Sequence, residues 1–205
     1  MIALAKPDNV KVLPGRSGDS EWYTPSKYAE GARLVMGRID LDPASCAVAN
    51  QIVRATHYYT KEDDGLVQPF YGRIYCNPPF GRINGSGKSV IGMFVTRIVQ
   101  EYHVGHVQQA ILLLTAQVTT SWFKQLWQFP ICFVDHRVHF NKIIRGMLMY
   151  DSRDSHMLGT IFVYLGPNEQ SFVDVFSEFG PTIPGNVAVR KQTVQPLSLW
   201  EVQHA

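Results

Sequence analysis

The sequence predicts an α/β fold built on a mostly parallel sheet with helices on both faces. Three observations carry that expectation. Short apolar strands alternate with helical segments, the pattern of βαβ units. Ala110–Leu114 is apolar throughout, as a strand covered on both faces must be. The 205 residues, 45% hydrophobic and 12% aromatic, supply material for one real core rather than two.

Each element follows from local pattern. Residues 1–20, with Pro7, Asn9, Pro14, Gly15 and Gly18, read as a loosely held arm. Ser26–Met36 places Tyr28, Ala32, Val35 and Met36 on one face, which predicts a helix capped by Ser26 and stopped at Gly37. Arg38–Asp42 is a strand ending at Pro43, Ala47–Ala55 a short helix, and Thr56–Thr60 a strand. After the turn at 61–65, a strand at Gly72–Cys76 stops at Asn77-Pro78-Pro79. Residues 81–89 (GRINGSGKS) read as a flexible loop before a helix at 90–103, striped by Ile91, Phe94, Val95, Ile98 and Val99. A helix at Thr120–Gln128 and strands at Ile131–Val134 and Thr160–Leu165 follow; residues 141–156 read as a polar loop. The tail after Gly180 has scattered prolines and little periodicity.

Composition narrows the function only a little. A net charge of +2 is compatible with a nucleic-acid partner and too weak to argue for one. The three cysteines, Cys46, Cys76 and Cys132, form no CxxC pair, which speaks against a disulfide framework or a cysteine zinc site and for a reducing cytoplasm. No signal-peptide pattern opens the chain, and no apolar run approaches the roughly 20 residues of a membrane helix. A soluble protein without membrane contact is expected.

Ligands of open α/β sheets bind outside the C-terminal ends of the strands. Two chemically loaded segments fall there: Asp42-Pro43-Ala44-Ser45 and Asn77-Pro78-Pro79-Phe80. Two prolines remove two backbone donors and leave carbonyls free to accept. Asn77, preceding a proline, is held extended and projects past the strand end. Its amide, the Pro78 carbonyl and the Phe80 ring would together suit a planar amino group. Adenine N6 is a poor nucleophile because its lone pair is delocalised; two acceptors on its two N–H groups would localise that pair for attack on an electrophilic methyl. Phe80 would stack on a base flipped from the duplex. A strand that merely ends at Pro-Pro is the plainer reading of the same residues.

Asn77-Pro78-Pro79-Phe80 resembles the (D/N/S)PP(Y/F) signature of amino-group methyltransferases. Together with Glu21–Pro25, Leu41–Ser45, Ala49-Asn50, Tyr59–Leu66, Asp135–Phe140 and Gly159–Gly166, it is similar to the phage-type DNA N6-adenine methyltransferases, the Dam family of bacteriophages and prophages, over residues 20–180. The resemblance implies a Rossmann-like methyltransferase domain at 21–180 flanked by the arm and a 181–205 tail. It implies S-adenosylmethionine as cofactor, a DNA substrate and the cytoplasm of a bacterium or phage-infected host. Catalysis then falls to Asn77, Pro78, Pro79 and Phe80. Cofactor contact falls to Tyr23, Thr24, Pro25, Asp42, Pro43, Ala44 and Ser45, with Asp64 and its competitor Asp63 for the cofactor adenine and Glu62 open for the ribose. The chain departs from the usual glycine-rich turn after the first strand, carrying Ala44-Ser45-Cys46-Ala47.

The interval between Asp42 and Asn77 leaves no room for a large recognition domain, so DNA would be met by the arm, the 81–89 loop and residues 137–156. Arg82, Lys88, Arg137, Lys142 and Arg145 are the candidate phosphate contacts, with Phe140 a second stacking ring across from Phe80 or a core residue. Gly85–Ser89 does not make a phosphate loop, since Arg82 stands where GxxxxGK[ST] needs its first glycine. His103-x-x-His106 and His136-x-x-His139 lack a third ligand at credible spacing, and no metal is expected. Two other functions stay open: methylation of an RNA base or a protein glutamine amide, and a non-catalytic DNA-binding or anti-restriction module.

Overall fold

The computed structural model describes residues 10–11, 22–83, 86–144, 147–150 and 159–185, with side chains left out at 10–11 and 142–150. In chain order the elements are β1 (Val10–Lys11), α1 (Ser26–Met36), β2 (Leu41–Asp42), α2 (Ala47–Val53), β3 (His57–Tyr58), β4 (Gly72–Cys76), β5 (Arg82–Ile83), α3 (Val90–His103), β6 (Val107–Thr115), β7 (Ile131–Phe133), β8 (Asn141–Ile144), β9 (Met147–Tyr150), β10 (Thr160–Leu165), α4 (Glu169–Phe176) and β11 (Thr182–Ile183). Short 3-10 turns cover Gly65–Val67 and Ser121–Gln128.

Seven strands form one sheet in the order β11-β7-β10-β6-β4-β2-β3. β3, β2, β4 and β6 are parallel neighbours. β10 runs antiparallel to both β6 and β7, so β7 points the same way as β6 although the two do not touch. Five of the seven strands therefore share one direction. Alternation along the strands sends side chains to two separate cores. Ala110, Leu112, Leu114, Ile161, Val163 and Leu165 face α3 and the 121–128 turn. Ile111, Leu113, Phe162 and Tyr164 face α1 and α4. Sheet positions buried on both faces read as unbroken apolar runs, which is why β6 was visible in the sequence.

α1 keeps its predicted bounds, but Ser26 does not cap it. Pro25 occupies the N-cap and offers no side-chain bond, while Gly37 closes the far end at φ 81°. α2 is capped by the Cys46 thiol, which accepts from the Ala49 N–H at 3.5 Å, and it ends at Val53, before the expected Ala55. The predicted strands around β2 and β3 shorten to two residues each. The predicted helix at 120–128 is instead a 3-10 run, packed so closely on α3 that a Cβ on Gly92 would lie 2.7 Å from the Trp122 ring.

Two predicted loops are corrected. Within residues 141–156, β8 and β9 pair in an antiparallel hairpin with Asn141 opposite Tyr150 and Ile144 opposite Met147. The expected flexible loop at 81–89 is partly built: the Ile83 N–H donates to the Lys88 carbonyl, Gly87 N–H to Ile83, and β5 pairs with β1. α4 and β11 complete the fold beyond the predicted elements.

Candidate active site

β2, β3, β4 and β6 end on the same edge of the sheet, and the two segments singled out in the sequence emerge there side by side, Leu41 of β2 being in register with Ile74 of β4.

The β2 end is closed and under-satisfied. Asp42 is 2% exposed, and its carboxylate accepts one backbone N–H, from Ala44 at 3.2 Å. Burial pushes its pKa up to about 7, against the smaller lowering effects of the Ala44 N–H and the nearby Ser45 hydroxyl. That hydroxyl is close enough to act electrostatically yet has no hydrogen-bond partner of its own, although it is buried. Orphaned buried polar atoms are rare in folded chains. Pro43 is buried and Ala44 half-buried at the edge of the core.

The 61–65 turn folds onto this end because Gly65 allows it: a Cβ there would collide with the Pro43 carbonyl oxygen. Asp64 precedes Gly65 with φ 50°, a left-handed conformation that costs a non-glycine residue about 1 kcal/mol or more. The Asp64 side chain makes no hydrogen bond among the described residues. Asp63 differs: it is exposed, and its carboxylate holds the turn by accepting both the Thr60 N–H and hydroxyl at 2.8 Å. Those bonds lower its pKa. Asp63 is a turn residue, and Asp64 is the acidic group left over. Glu62 is exposed.

The segment before α1 crosses the same edge. Tyr23 and Thr24 are buried, and Tyr75, wholly buried on β4, donates its hydroxyl to Thr24 Oγ1 at 3.3 Å. Burial drives the Tyr75 phenol and the Cys76 thiol far above their ordinary pKa, with Asp42 adding to both. Both stay protonated at neutral pH. Tyr23 is bridged to Asn141 of β8 by two backbone hydrogen bonds of 3.0 and 2.9 Å.

The β4 end is open. Pro78 is buried, Asn77 and Phe80 are half-buried, and Pro79 is exposed. Asn77 donates its side-chain N–H to the Trp22 carbonyl at 2.9 Å. With the nitrogen committed, the amide oxygen is turned away from Trp22. Neither that oxygen nor the Pro78 carbonyl accepts a hydrogen bond within the described residues. Phe80 packs at the margin of the core.

The other predicted site residues scatter. Phe140 is 2% exposed and packs edge-on against Trp22, ring centres 5.6 Å apart. A ring so enclosed cannot stack on DNA, and that expectation is corrected. Arg82 is exposed and bonds the Gly87 carbonyl at 2.9 Å; Lys88 and Arg137 are exposed. The Lys142 side chain and Arg145 lie outside the described residues. Sequence reasoning missed Trp22, Tyr75 and Asn141. Trp22 stood in a quoted motif, but nothing local ties it to a residue 55 positions away. Among the described residues no three His, Cys, Asp or Glu gather for a metal, and no helix is long and apolar enough to cross a membrane.

A parallel α/β sheet with an antiparallel β10 inserted near one side, and paired polar sites at adjacent strand ends, defines a Rossmann-like fold of the methyltransferase type. The sequence model for the DNA N-6-adenine-methyltransferase (Dam) family matches residues 13–173, more than three quarters of the chain, and the protein belongs to that family. No curated protein matches it. Among solved structures, the crystal structure of a dimethyladenosine transferase from Plasmodium falciparum is similar over 75% of this chain at 12% identity, with a TM-score of 0.38; the chain spans 66% of that structure. Likeness at that level carries no weight on substrate or reaction.

Proposed function

We propose that this protein transfers a methyl group from S-adenosylmethionine to the N6 amino group of adenine in DNA, with the adenine flipped into the site beside Asn77. The observation that carries the reading is a pair of acceptors unused among the described residues, the Asn77 amide oxygen and the Pro78 carbonyl, at a strand end next to the buried polar groups of the β2 end. An exocyclic amine offers two N–H groups to two such acceptors.

The β2 end fits the cofactor by its own chemistry. A buried carboxylate with one backbone donor, and a buried Ser45 hydroxyl whose sole neighbouring acceptor among the described residues is that carboxylate at long range, are groups that a polar, cationic ligand would satisfy. Asp42, Ser45, Thr24 and Asp64 are the side chains that would hold S-adenosylmethionine, with Tyr23, Pro25, Pro43 and Ala44 shaping the walls; when bound, it supplies the electrophilic methyl. Asn77 and Pro78 orient the amine and draw its lone pair out of the ring, and Phe80 supports the base. No group of shifted pKa has to take the amine proton before transfer. Arg82, Lys88 and Arg137 provide exposed positive charge for the duplex backbone, with Lys142 and Arg145 expected to join them.

Asn77→Ala tests this. Cofactor affinity by calorimetry should stay near the parental value while methylation of plasmid DNA falls at least about 100-fold, the usual loss when one preorganised transition-state interaction is removed. Methylation at the parental rate would remove the chemistry from Asn77.

A further inference from the structure

The geometry points to the Trp22 backbone carbonyl as the group that orients Asn77, making position 77 selective for an amide over a carboxylate. This rests on the amine-gripping role proposed above and adds a positioning element to it.

An amide can present either its oxygen or its nitrogen to a ligand, and only a neighbour decides which. Trp22 O, 2.9 Å from Asn77 Nδ2, accepts from the nitrogen and leaves the oxygen for the amine. Trp22 is itself held. Its ring packs against buried Phe140, and the next residue, Tyr23, is paired with Asn141 through both backbone bonds. Asn141 begins β8, so the β8–β9 hairpin and the catalytic strand end meet through Trp22 and Tyr23. The Trp22 carbonyl cannot swing away without breaking that pairing.

From the motif alone, aspartate at position 77 keeps an acceptor and should serve. The Trp22 carbonyl changes that outcome. An ionised carboxylate would set two acceptors against each other at hydrogen-bond distance, and the side chain would turn away from its working direction. A protonated carboxyl could donate to Trp22 O and still present its carbonyl oxygen to the amine. Among the described side chains, the titratable or charged groups on the surrounding elements are Arg73, Tyr75 and Cys76 on β4, Asp42 on β2, Tyr23 on the crossing segment, and Arg137 and His139 on the segment that leads to Phe140. Arg73, at the opposite end of β4, is spent on Asp40 and the Met36 carbonyl, so no described cation on β2, β4 or the crossing segment is placed to rescue the ionised form.

The experiment is the rate of Asn77→Asp from pH 6 to 9 on plasmid DNA, divided at each pH by the wild-type rate, with S-adenosylmethionine affinity measured in parallel. The expected result is parental cofactor affinity and a relative rate at pH 8.5 down by about 100-fold, near that of Asn77→Ala, and no lower at pH 6 than at pH 8.5. A relative rate within about threefold of wild type at pH 8.5, where the carboxyl is ionised, would overturn the assignment while leaving the proposed reaction intact. A wild type that methylates no adenine would instead sink the reaction. Should Asn77→Asp fail to bind cofactor, Phe140→Leu decides: loosening the Trp22 support should lower kcat several-fold at constant cofactor affinity, and an unchanged kcat would overturn the assignment.

Discussion

The two strand ends of the site are built in opposite ways. At the end of β2 most of the polar groups come from one stretch, residues 42–65, joined by Thr24, and the end is closed: Asp42 is 2% exposed and the 61–65 turn is brought down onto Pro43 at Gly65. At the end of β4 Asn77, the residue proposed to grip the amine, is half-buried, Pro79 is exposed, and the Asn77 amide is held by the Trp22 carbonyl, with Trp22 and Tyr23 packed on and paired with residues 140 and 141. The first end stores electrostatic cost in a desolvated carboxyl; the second stores none and depends on distant chain segments staying in register. A small polar cofactor can satisfy a closed pocket, whereas a base delivered from a duplex needs an open one. The contrast predicts that pH should act on the β2 end and distant substitutions on the β4 end.

The largest effect expected from this contrast is proton-linked. Asp42 has a pKa of about 7 in the folded chain and 3.8 as its ordinary value. Between those values the folded chain binds more protons than the unfolded one. The stabilisation is fully present below pH 3.8 and is lost as pH rises through 7. Across pH 5 to 8 the ligand-free protein should lose about 2–3 kcal/mol of unfolding free energy from this group. Urea melts of wild type and Asp42→Asn at both pH values would isolate it, since other groups cancel in the difference. Equal slopes in the two proteins would show that Asp42 is not the desolvated group described here.

Much of this frame was legible in the sequence, and the gaps have physical causes. β4, β10, α1 and α3 have the predicted bounds because each carries a strong local signal: an abrupt Pro-Pro stop, an unbroken apolar run, or an apolar stripe. The insertion of β10 between β6 and β7 is a nonlocal pairing that no window of sequence contains. The hairpin at β8–β9 did leave a trace, two apolar-rich runs around Arg145-Gly146, but the flanking basic residues outweighed it. α4 likewise shows Phe172 and Phe176 one helical turn apart. That Asp42 and Asn77 would emerge at the ends of strands was legible from the sequence, and the structure makes those strands neighbours. The choice between Asp63 and Asp64 was not legible, because it depends on which side chain the turn itself consumes.

That choice gives the next test of the closed end. Asp64→Ala should weaken S-adenosylmethionine binding by about 1–3 kcal/mol, the cost of removing a hydrogen bond to a charged group. Asp63→Ala should leave affinity closer to parental and instead loosen the turn, since its carboxylate is spent on Thr60. A reversed order in calorimetry would mean that the turn rearranges when cofactor binds and that the division of labour between the two aspartates is wrong.

The smallest effect belongs to the open end, where the duplex backbone would meet exposed charge. Arg82 and Lys88 stand in the small β5 hairpin, which begins two residues after Phe80 and is closed by the Ile83 N–H to Lys88 carbonyl bond at 2.9 Å. Both side chains are exposed, so their attraction to phosphate is screened by salt and each contributes modestly. What they change is the number of counterions released. Replacing Arg82 and Lys88 together by Gln should flatten the slope of log affinity against log salt by about one unit for each phosphate that is no longer neutralised. Turnover at saturating DNA should hardly move, because the proposed grip on the amine uses neither side chain. Arg82 also bonds the Gly87 carbonyl, so Lys88→Gln alone separates charge from loop closure. A slope equal to that of wild type in the double variant would turn the β5 hairpin away from DNA and leave the backbone phosphates to Arg137 and the β8–β9 hairpin.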